Sequence, residues 1–169
     1  MMQNAKDTFY EVLRGRLAAV NPERAITVRG VVRPGVLVVE NELESAVAMP
    51  DCFRVQWSDV VTEMDAALPL VTMMCSIEYE TAGTAVNAGM DRGRSLAAMD
   101  AELLAALTEQ PWLSAKLNYS ALESRGTSSA MKTNVWWGAP VFNKTVVEKD
   151  RVGRTARVAV MSYEEAGEL

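Results

Sequence analysis

The sequence predicts an α+β fold: a mostly antiparallel sheet with two main helices packed on one face, plus a protruding loop or hairpin. Three observations lead there. Two segments, residues 5–20 and 91–108, carry apolar residues at helical spacing. Around them stand β-branched or alternating runs, of which "LVTMMCSIEYET" is the clearest. These runs are grouped before and after the second helix rather than alternating one for one with helices, the pattern of α+β rather than of a doubly wound parallel sheet. No repeat, linker or low-complexity stretch divides the 169 residues, so they read as a single domain in which 112–154 includes an extended loop or arm.

The first helix, Ala5 to Val20, has Phe9, Leu13 and Leu17 every four residues, with Val12 and Val20 assigned to the same side. Pro22 ends it, because proline disfavours helical backbone in the residue before it. "AITVRGVV" and "VLVVE" flank "RPG", so an antiparallel hairpin is expected over Ile26 to Glu40 with Pro34-Gly35 as its turn. "NELESAVAMPD" reads equally as a short helix or an irregular connection. Phe53, Val55 and Trp57 then alternate with Arg54 and Gln56 in a half-buried strand. "DVVTEMDAALP" reads as loop or a short helical turn. The next strand puts Val71, Met73, Cys75, Ile77 and Tyr79 on one face and Thr72, Met74, Ser76, Glu78 and Glu80 on the other.

The second helix buries Leu96, Met99, Leu103 and Leu107, with Pro111 just beyond its end. From Trp112 to Lys132 the pattern weakens, and short strands with a protruding loop follow. "RTARVAVMSYEE" is a final strand, and the acidic tail after it is expected to fray.

Composition narrows the chemistry. The chain has 49% hydrophobic and 23% charged residues and a net charge of −5, without the basic excess of a nucleic-acid binder, so no sequence-specific nucleic acid is expected. It contains no histidine, which removes Ser/His/Asp and Cys/His nucleophile systems and the commonest zinc ligand sets. Cys52 and Cys75 share no metal-ligand spacing and sit in apolar runs, so both are read as buried, inert thiols. No apolar run approaches the ~20 residues that span a bilayer, and the N-terminus lacks the layout of a signal peptide. The expectation is a cytoplasmic protein with no membrane contact, no cofactor and no metal.

The stretch "ETAGTAVNAGMDRGRS" between a strand and a helix raises the question of a phosphate cradle. Its glycines, Gly83, Gly89 and Gly93, are spaced six and four apart, no lysine follows, and Asp91 would repel phosphate. Asp91 reads better as a helix N-cap and the loop as a mobile, polar joint. Arg92 and Arg94 stand at the positive end of the helix dipole and gain nothing there. They are either solvated or directed at acidic groups of a neighbouring subunit.

Trp136 and Trp137 are adjacent on a strand, so their rings point to opposite faces and one belongs at a groove or partner surface. Trp112 is read as core. Asp59, Glu63 and Asp65 read as a solvated connection. The basic run that includes Arg151 and Arg154 reads as an exposed hairpin or a surface for a charged partner. Candidate interface residues are therefore Arg92, Arg94, Trp136, Trp137, Arg151 and Arg154.

The element order, "DTFYEVLRGRLAAV" followed by strands and then "CSIEYETAG" leading into "DRGRSLAAMDAELLAAL", resembles the tail terminator (tail completion, minor tail protein U-like) proteins of long-tailed phages. The likeness runs over Asp7 to Leu107 and, loosely, the final strand; the segment from Trp112 to Arg154 is longer and richer in tryptophan than that family's pattern. The resemblance implies a non-enzymatic structural protein of a phage or prophage tail. It would form a six-fold homo-oligomeric ring on the tail tube, stop tube growth and present a surface to the head connector. Its place would be the cytoplasm before assembly and the virion tail afterwards. Two other classes stand beside it: a small-molecule-binding module or enzyme using the 80–95 loop, and a general adaptor docking a protein through Trp136 and Trp137.

Overall fold

The computed structural model describes residues 2–41, 49–119 and 128–168. In chain order its elements are α1 (Gln3–Val20), β1 (Ala25–Val28), β2 (Val31–Pro34), β3 (Val36–Val38), β4 (Phe53–Glu63) and β5 (Leu70–Thr81). After these come α2 (Arg92–Thr108), β6 (Leu113–Asn118), β7 (Ser129–Trp137), β8 (Val141–Phe142), β9 (Val146–Glu148) and β10 (Arg151–Tyr163). The central part of "NELESAVAMPD" and part of the 112–154 arm lie outside the described residues.

The main sheet runs β3-β4-β5-β10-β7-β6, antiparallel except for the β3–β4 pair. The long strand β10 pairs with β5 along its whole length, while its other edge is covered piecewise by β9, β8 and β7. Both helices pack on one face. Phe9, Leu13 and Leu17 of α1 and Leu96, Met99, Leu103 and Leu107 of α2 share one core with Val71, Met73, Cys75, Ile77 and Tyr79 of β5. The fold is therefore the α+β arrangement that the pattern predicts.

The sheet curls around α1. Phe9 makes edge-on contacts with Trp57 of β4 at 5.8 Å and Trp137 of β7 at 5.5 Å, so strands from both halves of the sheet meet on one ring. At one margin, α1 supplies acceptors for β6: Leu117 N–H donates to Thr8 Oγ1 and Tyr119 N–H to Asn4 Oδ1, both at 3.0 Å. These bonds satisfy backbone donors of an edge strand that would otherwise be open to pairing. At the other margin, Tyr10 Oη donates to the Val36 carbonyl of β3. Val12 is only half-buried and Val20 is 43% exposed. At 3.6 residues per turn, Val12 lies about 60° from Phe9, at the edge of the buried stripe, whereas Val20 keeps the angle of the stripe and is exposed as the last residue of the helix.

The hairpin at 26–40 differs from expectation. Its turn is Arg29-Gly30, at φ 50° and 80°, a two-residue connection of β1 to β2 whose left-handed backbone matches the strand twist. Pro34-Gly35 is instead the step into β3, which leaves the hairpin and pairs in parallel with β4. Gly35 is needed there because a Cβ would come within 2.9 Å of the Arg24 side chain.

The first five residues of "DVVTEMDAALP" are strand, and the remainder is the bend that leads into β5. β4 continues through a bulge between Trp57 and Val60 to Glu63, paired with the start of β5. Residues 58–68 are exposed throughout, so no core imposes alternation on them and their ladder bonds alone define the strand. This hairpin end is a protrusion, whereas β6 and β7 from the expected arm are built into the sheet.

The C-terminal tail is anchored rather than frayed. Lys116 is fully buried in β6, and its ammonium donates to Glu168 Oε2 and the Tyr163 carbonyl, each at 2.6 Å. Glu165 accepts from Lys132 N–H, Thr133 N–H and Thr133 Oγ1, each at 2.8 Å. Tertiary partners decided this, not local composition. Trp112 is 40% exposed rather than core; its indole N–H donates to the Thr108 carbonyl at the end of α2.

Candidate functional site

The loop joining β5 to α2 holds an anion, and the anion is its own. Asp91 Oδ1 accepts Thr84 N–H at 2.8 Å, while Oδ2 accepts Thr84 Oγ1 at 2.7 Å and Asn87 Nδ2 at 3.1 Å. Asp91 stands at the N-cap position of α2, yet its side chain makes no cap hydrogen bond; it turns back into the loop. The Thr84 hydrogen bonds hold its carboxyl at about 2, below the ordinary carboxylate value. The loop is thus clamped, not the mobile joint expected.

Gly83 and Gly89 have φ of 75° and 77°, and a Cβ would meet Asp91 Oδ1 at 2.6 Å or Arg92 Nη2 at 2.7 Å respectively. The concave side is therefore filled by the chain's own carboxylate and guanidinium, which leaves no cradle for phosphate. Arg92 folds over the loop, half-buried, and its Nε is buried without a hydrogen bond. Arg94, one turn-position on, is exposed and takes part in no ion pair among the described residues. On the outside of the same loop Val86 is 94% and Met90 86% exposed.

The tandem tryptophans split between the two faces as the strand geometry predicts. Trp137 is in the core, donating its indole N–H to the Leu107 carbonyl at 3.0 Å beneath the Arg16 guanidinium, 5.1 Å from its ring. Trp136 lies half-buried on the opposite face against Tyr163, with ring centroids 5.6 Å apart. Trp136 can meet a partner without unfolding; Trp137 cannot.

Arg151 and Arg154 are engaged within the chain. Arg151 pairs with Glu80. The Arg154 guanidinium donates to the Asn143 carbonyl at 2.9 Å and Thr145 Oγ1 at 3.0 Å, and its Nε stands 3.2 Å from the Asp100 carboxylate. Tyr79 Oη donates to that same carboxylate, and burial together with this bond pushes the phenol well above its ordinary value. These arginines fasten β8–β9 and α2 to the sheet.

A cleft of about 260 Å³ lies beside them, lined by Met49, Cys52, Arg54, Glu78 and Arg151 among others. Arg54 stands 4.0 Å from Glu78, Arg151 is on Glu80 and Arg154 is beside Asp100, so the cations on its wall already face carboxylates of β5 and α2. Cys52 and Cys75 are both buried and form no disulfide, and burial pushes the Cys75 thiol far up, as an inert thiol requires.

At the opposite end of the sheet the β4–β5 hairpin exposes Val60, Val61 and Met64, the last at 71%. Glu63 and Asp65 stand among them, exposed and in no ion pair among the described residues. Sequence reasoning passed over these apolar groups because they sit where periodicity is absent. Several bulky side chains in a segment with no buried face were the available signal. Neither a protein-family model nor a curated protein matches the chain.

Proposed function

We propose that the chain is a structural assembly protein of a phage or prophage tail, of the tail-terminator kind, acting as a homo-oligomeric ring on the tail tube beneath the head connector. One observation carries the reading. Exposed apolar groups occur at both ends of β5, Val60, Val61 and Met64 at its start and Val86 and Met90 beyond its finish. Twelve strand residues separate these ends, about 40 Å at ~3.4 Å per residue. Contiguous exposed apolar surface marks interaction sites. Two unlike patches at opposite ends suit a head-to-tail contact, the kind that closes into a ring when the rotation allows. The reading involves no catalytic step and no cofactor.

The test uses tail tubes from the same particle, assembled in the absence of this chain. Adding the full chain should give tubes of uniform length ended by a ring in negative-stain images. Tubes that grow unchecked while the protein stays unbound would overturn the proposal.

A further inference from the structure

We infer that the β4–β5 hairpin tip of one copy docks on the β5–α2 loop of the next copy, with Glu63 and Asp65 meeting Arg94. This deepens the assembly reading and rests on it. The occupant is a second copy of this chain, complementary to the first in apolar surface and in charge.

The tip, residues 58–68, contains three carboxylates and no cation. One of them, Asp59, already lies 3.7 Å from Arg157, which leaves Glu63 and Asp65 beside Val60, Val61 and Met64. The loop presents the converse: Val86 and Met90 are exposed in it, Arg94 is exposed in the helix turn that follows, and the single loop carboxylate, Asp91, is consumed by Thr84 and Asn87. Arg94 is in the first turn of α2, where the helix dipole opposes its charge. A partner's carboxylates relieve that opposition and are themselves favoured at a helix N-terminus.

Both surfaces are held in shape before they meet. The tip is held by the ladder from Val60↔Met73 to Glu63↔Leu70 and the loop by the Asp91 carboxylate, so little ordering is required on docking. Because the two patches lie at opposite ends of β5, the same contact repeats from copy to copy and cannot be satisfied within one chain.

Met64→Cys with Val86→Cys tests the pairing in the full chain, and the native cysteines are buried and do not compete. Mild oxidation of the double variant should give a ladder of disulfide-linked oligomers, and neither single variant should give more than a dimer. A charge exchange provides the second reading. Glu63→Lys with Asp65→Lys, or Arg94→Glu alone, should weaken assembly in sedimentation by tenfold or more, and all three together should restore most of it.

A chain that stops tube growth but gives no ladder and no charge rescue overturns the pairing and leaves the assembly reading standing. A ladder with tubes unaffected supports the pairing and removes the terminator reading. A monomer with neither ladder nor effect on tubes overturns both, and a dimer formed in either single variant as readily as linkage forms in the double variant would mean a like-to-like contact and overturn the pairing.

Discussion

Asp91 occupies the position of a helix cap while its carboxylate serves the loop before the helix. Its carboxyl is held at about 2 against an ordinary 3.8, so folding favours the charged form. That stabilisation is fully present above about pH 4 and is lost as the pH falls through about 2. Asp91→Asn should therefore lower the urea midpoint at neutral pH, and the gap to the parent should narrow between pH 4 and pH 2, about the span of the shift. A gap constant across that window would show that Thr84 and Asn87 do not hold the charge. Lys116 and Glu168 make the second residue-scale case, an ion pair with both side chains fully buried. Removing one partner strands the other, so Glu168→Ala should cost about 3–5 kcal/mol in chemical denaturation. Lys116→Met combined with Glu168→Leu should recover most of that loss, because the burial of charge is removed along with the attraction.

At the scale of elements, the end of α2 is held by side chains from elsewhere. No basic residue stands in its last turn. Arg16 of α1 instead donates to the carbonyls of Ala106 at 3.2 Å and of Glu109 and Pro111 at 2.6 Å. Terminal helix carbonyls lack intrahelical donors, and a cation there also complements the dipole. Arg16→Ala should destabilise the protein by about 2 kcal/mol, and amide exchange should quicken first in the last turn of α2. Unchanged protection there would mean water replaces the guanidinium without cost. Glu102, one turn before Ala106, plays a comparable part where α1 leads into β1. Burial alone would raise its carboxyl, but hydrogen bonds from Arg24 and Asn21 hold it below the ordinary value. It thereby fastens the α1–β1 connection to α2.

Over the whole molecule, α1 is the piece around which the sheet closes. Phe9 touches tryptophans from β4 and β7, strands that are separated in the sheet by β5 and β10. Phe9→Ala should cost about 3–5 kcal/mol, with tryptophan fluorescence and far-ultraviolet dichroism lost together in one transition. Two separate transitions would show that the two halves of the sheet have independent cores. The charge layout also belongs to this scale. The surplus carboxylates at the hairpin tip and the cation at the β5–α2 loop become meaningful only once β5 sets them at opposite ends.

Periodicity by itself determined both helices, the buried faces of β5 and the first half of β4, and hence the α+β class. A side-chain pattern records a buried face, and those segments have one. It also determined that Trp136 and Trp137 part company, since strand geometry alone requires it. Where a segment has no buried face the pattern falls silent, as in the second half of β4, which is strand because β5 pairs with it. Where polar groups find distant partners the pattern misleads. Asp91 turned from cap to clamp, the acidic tail was tied down by Lys116, Lys132 and Thr133, and Arg151 and Arg154 were taken up inside the chain. The partners of Asp91 are local, in a loop whose turns no apolar period records, whereas those of Lys116, Lys132 and Arg151 lie tens of residues away and only the pairing of the sheet brings them within hydrogen-bond reach.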